Sequence, residues 1–283
     1  MSGTIERIVR RRLVLEFSYG RADVQTMRTA AQLASMLDLG LHGLFIEDTS
    51  MLALAELQFV REIRLPTYEW QTIDAERMQA ELRHTAAEAR RMLNEVAAAI
   101  GVPNAFEVLR GEPGDIIAAT LSADDVVVLA APPRAGMRLA PGFTRLYEAV
   151  DRSSASVLLL PVGFIPRHGF IVALLDGAND FSLIPAAKIA ARSKENLLLL
   201  VPQGGEQIVR DAEKHAVALG MAQSHIMTRR PLGLQADDVL HALGYTRDRL
   251  IVVTRHACPA GGIVEASRIA ADRGVPVLLV APG

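Results

Sequence analysis

The chain has 283 residues, half of them apolar and 22% charged, with a formal net charge of −2. That length allows one large or two ordinary domains, each able to bury its own core, while the near-balanced charge excludes a general nucleic-acid binder, which carries a basic excess. One cysteine, Cys258, excludes an intrachain disulfide and fits a reducing compartment, and no apolar run approaches the roughly 20 residues of a membrane span.

The start, MSGTIERIVRRRLVLEF, carries charges but no continuous apolar signal core, so a cytoplasmic protein without membrane insertion is expected. Arg10, Arg11 and Arg12 read as a solvated basic edge. Leu13 to Phe17 then reads as a strand, and Ala22 to Leu39 as a helix with Val24, Met27, Ala31, Ala34 and Leu37 on one apolar face. Leu41 to Ile46 is a second strand. Asp48, Thr49 or Ser50 can cap a helix whose apolar positions are Leu52, Ala55, Phe59 and Ile63, interrupted by Pro66. Ile73 to Ile100 is a long charged helix stopped by Gly101. A third strand, Ala105 to Leu109, precedes a helix from Asp115 to Leu121. Val126 to Ala131 is an unbroken apolar run bounded by turn residues, which predicts a strand buried on both faces. A loop with Pro132, Pro133, Gly136, Pro141 and Gly142 leads to a helix from Phe143 to Arg152, and Val157 to Leu160 is a fifth strand.

The pattern then restarts. Strands are predicted at Phe170 to Leu175, Leu197 to Val201, Ser224 to Thr228, Leu250 to Thr254 and Val277 to Val280. Helices are predicted at Ser182 to Arg192, Glu206 to Leu219, Asp237 to Leu243 and Ile263 to Asp272. Such alternation implies parallel sheets with helices on both faces. The halves also match in sequence. TAAQLASMLDLGLHGLFIED, from Thr29, lies over PAAKIAARSKENLLLLVPQG, from Pro185, without a gap. SSASVLLLPVG, from Ser153, lies over RGVPVLLVAPG, from Arg273. This is the signature of a tandem repeat, with its boundary near Pro161 to Gly169 and domains spanning residues 1–164 and 167–283.

The segment GEPGDIIAATLSADDVVVLA resembles the universal stress protein family, whose third helix and fourth strand follow G-x-P-x-x-x-I…D-x-I-V-V. The matching residues are Gly111, Pro113, Ile117, Asp125, Val127 and Val128. The last strand, Pro276 to Val280, matches the family's P-V-L-V-V ending, and LLDGAND places Asp176 and Gly177 at its V-D-G-S turn. The resemblance implies two α/β domains of the adenine nucleotide alpha hydrolase-like kind, each a five-stranded parallel sheet with helices on both faces. It further implies packing as a pseudo-dimer through the last strands, and a role in stress response.

Members that bind ATP carry G-x-x-G-x9-G-[ST] after the fourth strand, whose glycines let backbone N–H groups face the phosphates. With Gly142 as the last glycine, the first two positions fall on Leu129 and Pro132, and the hydroxyl position on Phe143. Pro132 and Pro133 have no N–H to donate. In the second half the loop Thr254 to Gly262 is short, contains Pro259, and has Ile263 at the hydroxyl position. The first half has Ser18 where the second has Asp176. The expectation is therefore a degenerate nucleotide site. What remains of it is Asp176, Gly177, Gly142 and Gly262, with Arg134, Arg138 and Arg145 as guanidinium substitutes for the lost amides. ATP stays the ligand to test, and the bland role for the three arginines is a solvated basic loop.

Other groups carry less. His256 and Cys258 are too few for a metal site, and His215, His225 and His241 form no triad that a sequence supports. Asp124, Asp125, Asp237 and Asp238 read as solvent-facing acids at helix and strand starts. Thr49 to Trp70 has no counterpart in the second half, and reads as added core or as a partner-docking surface. The expected function is a non-catalytic regulatory protein with a protein partner or a second copy of itself. The competing readings are an ATP- or other nucleotide-binding sensor with weak or no hydrolysis and an enzyme with an unrecognised pocket.

Overall fold

The computed structural model describes residues 11–17, 24–55, 57, 61–64, 69–72, 74–130, 141–161, 163–177 and 180–282. The first half begins with β1 (Arg12–Glu16), α1 (Val24–Leu37), β2 (Gly40–Asp48) and α2 (Thr49–Ala55). After these come β3 (Arg61–Arg64), β4 (Glu69–Thr72), α3 (Ala75–Ile100), β5 (Asn104–Gly111) and α4 (Pro113–Thr120). β6 (Val126–Ala130), α5 (Pro141–Arg152) and β7 (Ser156–Leu160) complete it. The second half opens with β8 (Phe170–Leu174), α6 (Leu183–Ser193), β9 (Leu197–Leu200) and α7 (Glu206–Ala218). It closes with β10 (Ile226–Arg229), α8 (Ala236–Leu243), β11 (Asp248–Thr254), α9 (Ile263–Arg273) and β12 (Val277–Val280).

Ten strands form one sheet in the order β10-β9-β8-β11-β12-β7-β6-β1-β2-β5. Within each half of this sheet all pairings are parallel, and the two halves follow the same order outward from the centre. They meet where β12 runs antiparallel to β7 in the register Val277 to Leu159, Leu278 to Leu158 and Leu279 to Val157. The last strands thus join the halves, as expected. Continuous apolar runs such as VVVLA in β6 and LLLL in β9 suit this sheet, because helices cover both of its faces. Each face carries an apolar layer that runs across both halves. One layer joins α1 and α3 with α6, and the other joins α5 with α8 and α9.

Local chemistry sets the ends of the elements. Asp74 accepts from the N–H groups of Glu76 and Arg77, at 3.0 and 3.2 Å, and so caps α3. Gly101, at φ 78°, ends the same helix in the left-handed region that favours glycine. The helix expected from residue 49 to Ile63 is shorter than the pattern suggested. α2 stops at Ala55, and Ile63 pairs with Trp70 in an antiparallel hairpin of β3 and β4. Pro66 disfavours helix at the preceding residue, and the β-branched and aromatic side chains around it suit strands. Phe59 lies outside the described residues.

A second correction concerns the acids. Asp124 is exposed, but Asp125 is buried at the amino end of β6. Its carboxylate accepts from Arg12 Nε and Nη2, at 3.0 and 2.9 Å, and from the N–H and hydroxyl of Ser122. Arg12 is therefore a pairing residue and not a solvated edge, while Arg11 meets Asp124 at 3.5 Å on the surface. Burial pushes the Asp125 carboxyl up, but the bonds from Arg12 and Ser122 outweigh it and leave the group below the usual carboxylate range. The second half repeats the device. Asp248, fully buried at the amino end of β11, accepts from Arg273 and from Thr246 Oγ1. A buried acid at a strand start had no visible signal, because its arginine partner lies 113 residues away in the first half.

Side chains also cross between the halves. Arg192 at the end of α6 donates to the carbonyls of Ser35 and Met36 and to Asp38, closing the carboxyl end of α1. On the other face the hydroxyls of Tyr147 and Ser267 pair. Arg255 goes deepest. It follows β11 directly, is 2% exposed, and donates to the carbonyls of Val150, Asp151, Ser153 and Ala155 at the end of α5. A cation at a helix carboxyl end is favourable both as a donor and against the helix dipole. Burial lowers the Arg255 pKa, partly offset by Asp151 at 3.9 Å.

Two outcomes follow. Arg255→Met removes the guanidinium from four carbonyls, those of Val150 and Ala155 buried, and should cost about 3–5 kcal/mol in urea unfolding; a loss below about 1 kcal/mol would show that water replaces the guanidinium. For Asp125 the folded pKa is the lower one, so its stabilisation is complete above about pH 4 and is lost as pH falls through the folded value. Asp125→Asn should therefore destabilise at neutral pH and flatten the acid limb of the stability curve. An unchanged acid limb would contradict the pairing.

Candidate functional site

In a parallel α/β sheet, ligands gather at the carboxyl ends of the strands where the strand order reverses. That point lies between β1 and β6 in the first half and between β8 and β11 in the second. Because β7 and β12 are antiparallel, the two points open on opposite edges of the sheet. The second is the better described. It is bounded by Asp176 and Gly177 after β8, by Asp180 and Ser182 before α6, and by Thr254 and the loop that leads into α9.

Asp176 is exposed, and Gly177 is half-buried in open space. The Asp176 N–H donates to Asp180 Oδ2 at 2.9 Å. Asp180 Oδ1 accepts from the Ser182 N–H at 2.9 Å, and lies 2.6 Å from Ser182 Oγ and 2.5 Å from Thr254 Oγ1. Ser182 Oγ also stands 3.0 Å from the Leu174 carbonyl. Its single proton serves one of these acceptors at a time. The Asp180, Ser182 and Thr254 group was not foreseen. Its local half was legible as the D-x-S spacing of a helix start, but nothing in the sequence points from Asp180 to Thr254.

The loop after β11 is bonded to itself. Arg255 N–H donates to the Val280 carbonyl at 2.8 Å, and His256 N–H to that of Gly261 at 3.1 Å. Ala257 donates to Thr254 at 3.4 Å, Ala260 to Leu234 at 3.0 Å, Gly261 to Cys258 at 2.9 Å and Gly262 to Pro259 at 3.1 Å. Pro259 has no N–H. A Cβ on Gly261 would stand 2.4 Å from the Thr254 carbonyl, so the absence of a side chain there lets the loop fold onto the strand end. Gly262, the glycine singled out in this loop by its spacing, caps α9. These amides already have acceptors, whereas a phosphate cradle needs them aimed outward.

His256 is exposed with its backbone at φ 58°. Cys258 is half-buried. Burial, with the charges of Asp176 and Asp180 nearby, pushes its thiol up, which is opposite to what a reactive thiolate needs. Among the described residues no three His, Cys, Asp or Glu side chains are grouped to hold a metal ion.

In the first half Arg134 and Arg138 lie outside the described residues. Gly142 stands in the first turn of α5. Arg145, one turn on, is exposed and 3.8 Å from the Glu112 carboxylate. It lines an open groove of about 350 Å³ between α4 and α5, with Asp115, Arg152 and Ser154. Arg145 is therefore turned to the partner helix and to a groove of mixed charge.

No family model and no curated relative matches the chain in sequence. Solved structures do resemble it. A universal stress protein from Archaeoglobus fulgidus matches with a TM-score of 0.57 at 15% identity, over 96% of this chain and 96% of that one. A protein of unknown function from Pseudomonas aeruginosa matches with a TM-score of 0.55 at 14% identity, over 97% of this chain and 93% of its own. Likeness at such low identity speaks for architecture, and over nearly its whole length this chain has the fold found in a universal stress protein.

Proposed function

We propose that this is a universal stress protein-like regulatory protein, cytoplasmic and non-catalytic, whose nucleotide site has degenerated. The observation that carries it is the loop after β11. The amides of Arg255, His256, Ala257, Ala260, Gly261 and Gly262 donate to carbonyls of the loop and the adjoining chain, and Pro259 supplies none. The lost glycine positions at Leu129 and Pro132 point the same way for the first half. The two halves, 1–164 and 167–283, are read as repeats of one ancestral domain, supported by their shared strand order. Isothermal titration with ATP, ADP and cyclic nucleotides tests this. No heat is expected at about 1 mM ligand; saturable binding to the intact chain would replace the regulatory reading with that of an ATP-binding sensor.

A second reading, docking of a protein partner through residues 49–70, is favoured by one observation. Met51, Leu57 and Trp70 are all exposed, although an added core would bury them. Changing all three to Ser should leave the melting temperature within about 2 °C if they face a partner. A fall beyond about 5 °C would assign them to the core.

A further inference from the structure

The switch point between β8 and β11 is where this architecture leaves room for a ligand. In this chain the Asp180 carboxylate stands there. Both of its oxygens are engaged, one by the Asp176 N–H and the other by Ser182 and Thr254. Ser182 is wholly buried and Thr254 is 4% exposed, so these are interior donors and not surface hydroxyls. Thr254 lies 74 residues from Asp180, at the end of β11, which takes the contact beyond the capping of α6. The donor set is that of a small anion site, and the chain supplies the anion.

We propose that Asp180 is a built-in occupant of the second-half crevice, an autoinhibitory contact that shuts it against anions from solution. A second anion would have to share donors with a carboxylate, and like charges a few ångströms apart repel. The contact rests on the degenerate-site reading above and deepens it, since it gives the second half a side chain that closes the crevice in addition to a loop most of whose amides are already bonded. It also explains why Thr254 and Ser182 tolerate burial, as each hydroxyl has a charged acceptor.

The test uses the full chain as wild type, Asp180→Ala and Asp180→Asn, melted in sodium chloride and in sodium formate of equal ionic strength. Asp180→Ala should melt about 5 °C lower than wild type in chloride. About 0.1 M formate should restore at least half of that loss by seating a small carboxylate on the vacated donors. Asp180→Asn fills the space, so it and the wild type should respond to formate no more than to chloride. If Asp180→Ala does not fold in chloride, its refolding yield in formate becomes the readout, with recovery expected. An alanine variant indifferent to formate, or a wild type that shifts as much, would overturn the proposal. No nucleotide enters this readout, so it can fail while the non-binding reading holds, and the reverse.

Discussion

Three residue pairs, from Val157–Leu279 to Leu159–Val277, join the two halves of the sheet. Because this pairing is antiparallel, the carboxyl ends of the second-half strands lie beside the amino ends of the first-half strands. The Ala281 N–H accordingly reaches Ser156 Oγ at 2.9 Å. The loop that would form the second-half site therefore abuts the turn between α5 and β7. Arg255 is the physical result. It leaves β11 toward its own crevice and ends buried against four carbonyls of the other half. A charge removed from water needs close to full hydrogen bonding to persist, and only its Nε lacks a partner among the described residues.

The same constraint shapes the site. With Arg255 anchored outward and Thr254 tied inward to Asp180, the loop from His256 to Gly262 has little chain left to form an open cradle. It closes on short internal hydrogen bonds and on the strand end, where Gly261 alone permits the approach. The short self-bonded loop and the proposed closure of the crevice by Asp180 are thus two views of one local structure. The buried acids Asp125 and Asp248 work at the opposite ends of the strands. Each pairs with an arginine and a hydroxyl and fixes the amino end of the strand that leads to the loop.

The fold was largely legible because parallel strands buried on two faces write themselves as unbroken apolar runs, and the alternation with amphipathic helices repeats. The segment around Ile63 was misread since its apolar spacing fits both periods, and pairing with the strand that carries Trp70 decides between them. The site was legible only in part. The loss of glycines and the presence of Pro259 could be counted from spacing. The partners of Asp125, Asp180 and Arg255 could not, because they depend on which strands the topology brings together across 70 or more residues. Arg145 illustrates the same limit: its neighbour Glu112, at the start of α4, lies 33 residues away in the chain and 3.8 Å away in space.

The central claim is that the amides of the second-half loop are already spent within the chain. Amide hydrogen exchange at His256, Ala257, Ala260, Gly261 and Gly262, measured with and without ATP, tests it most directly. The account predicts protected amides whose exchange ATP leaves unchanged. Fast exchange that ATP slows would show an open cradle and contradict it.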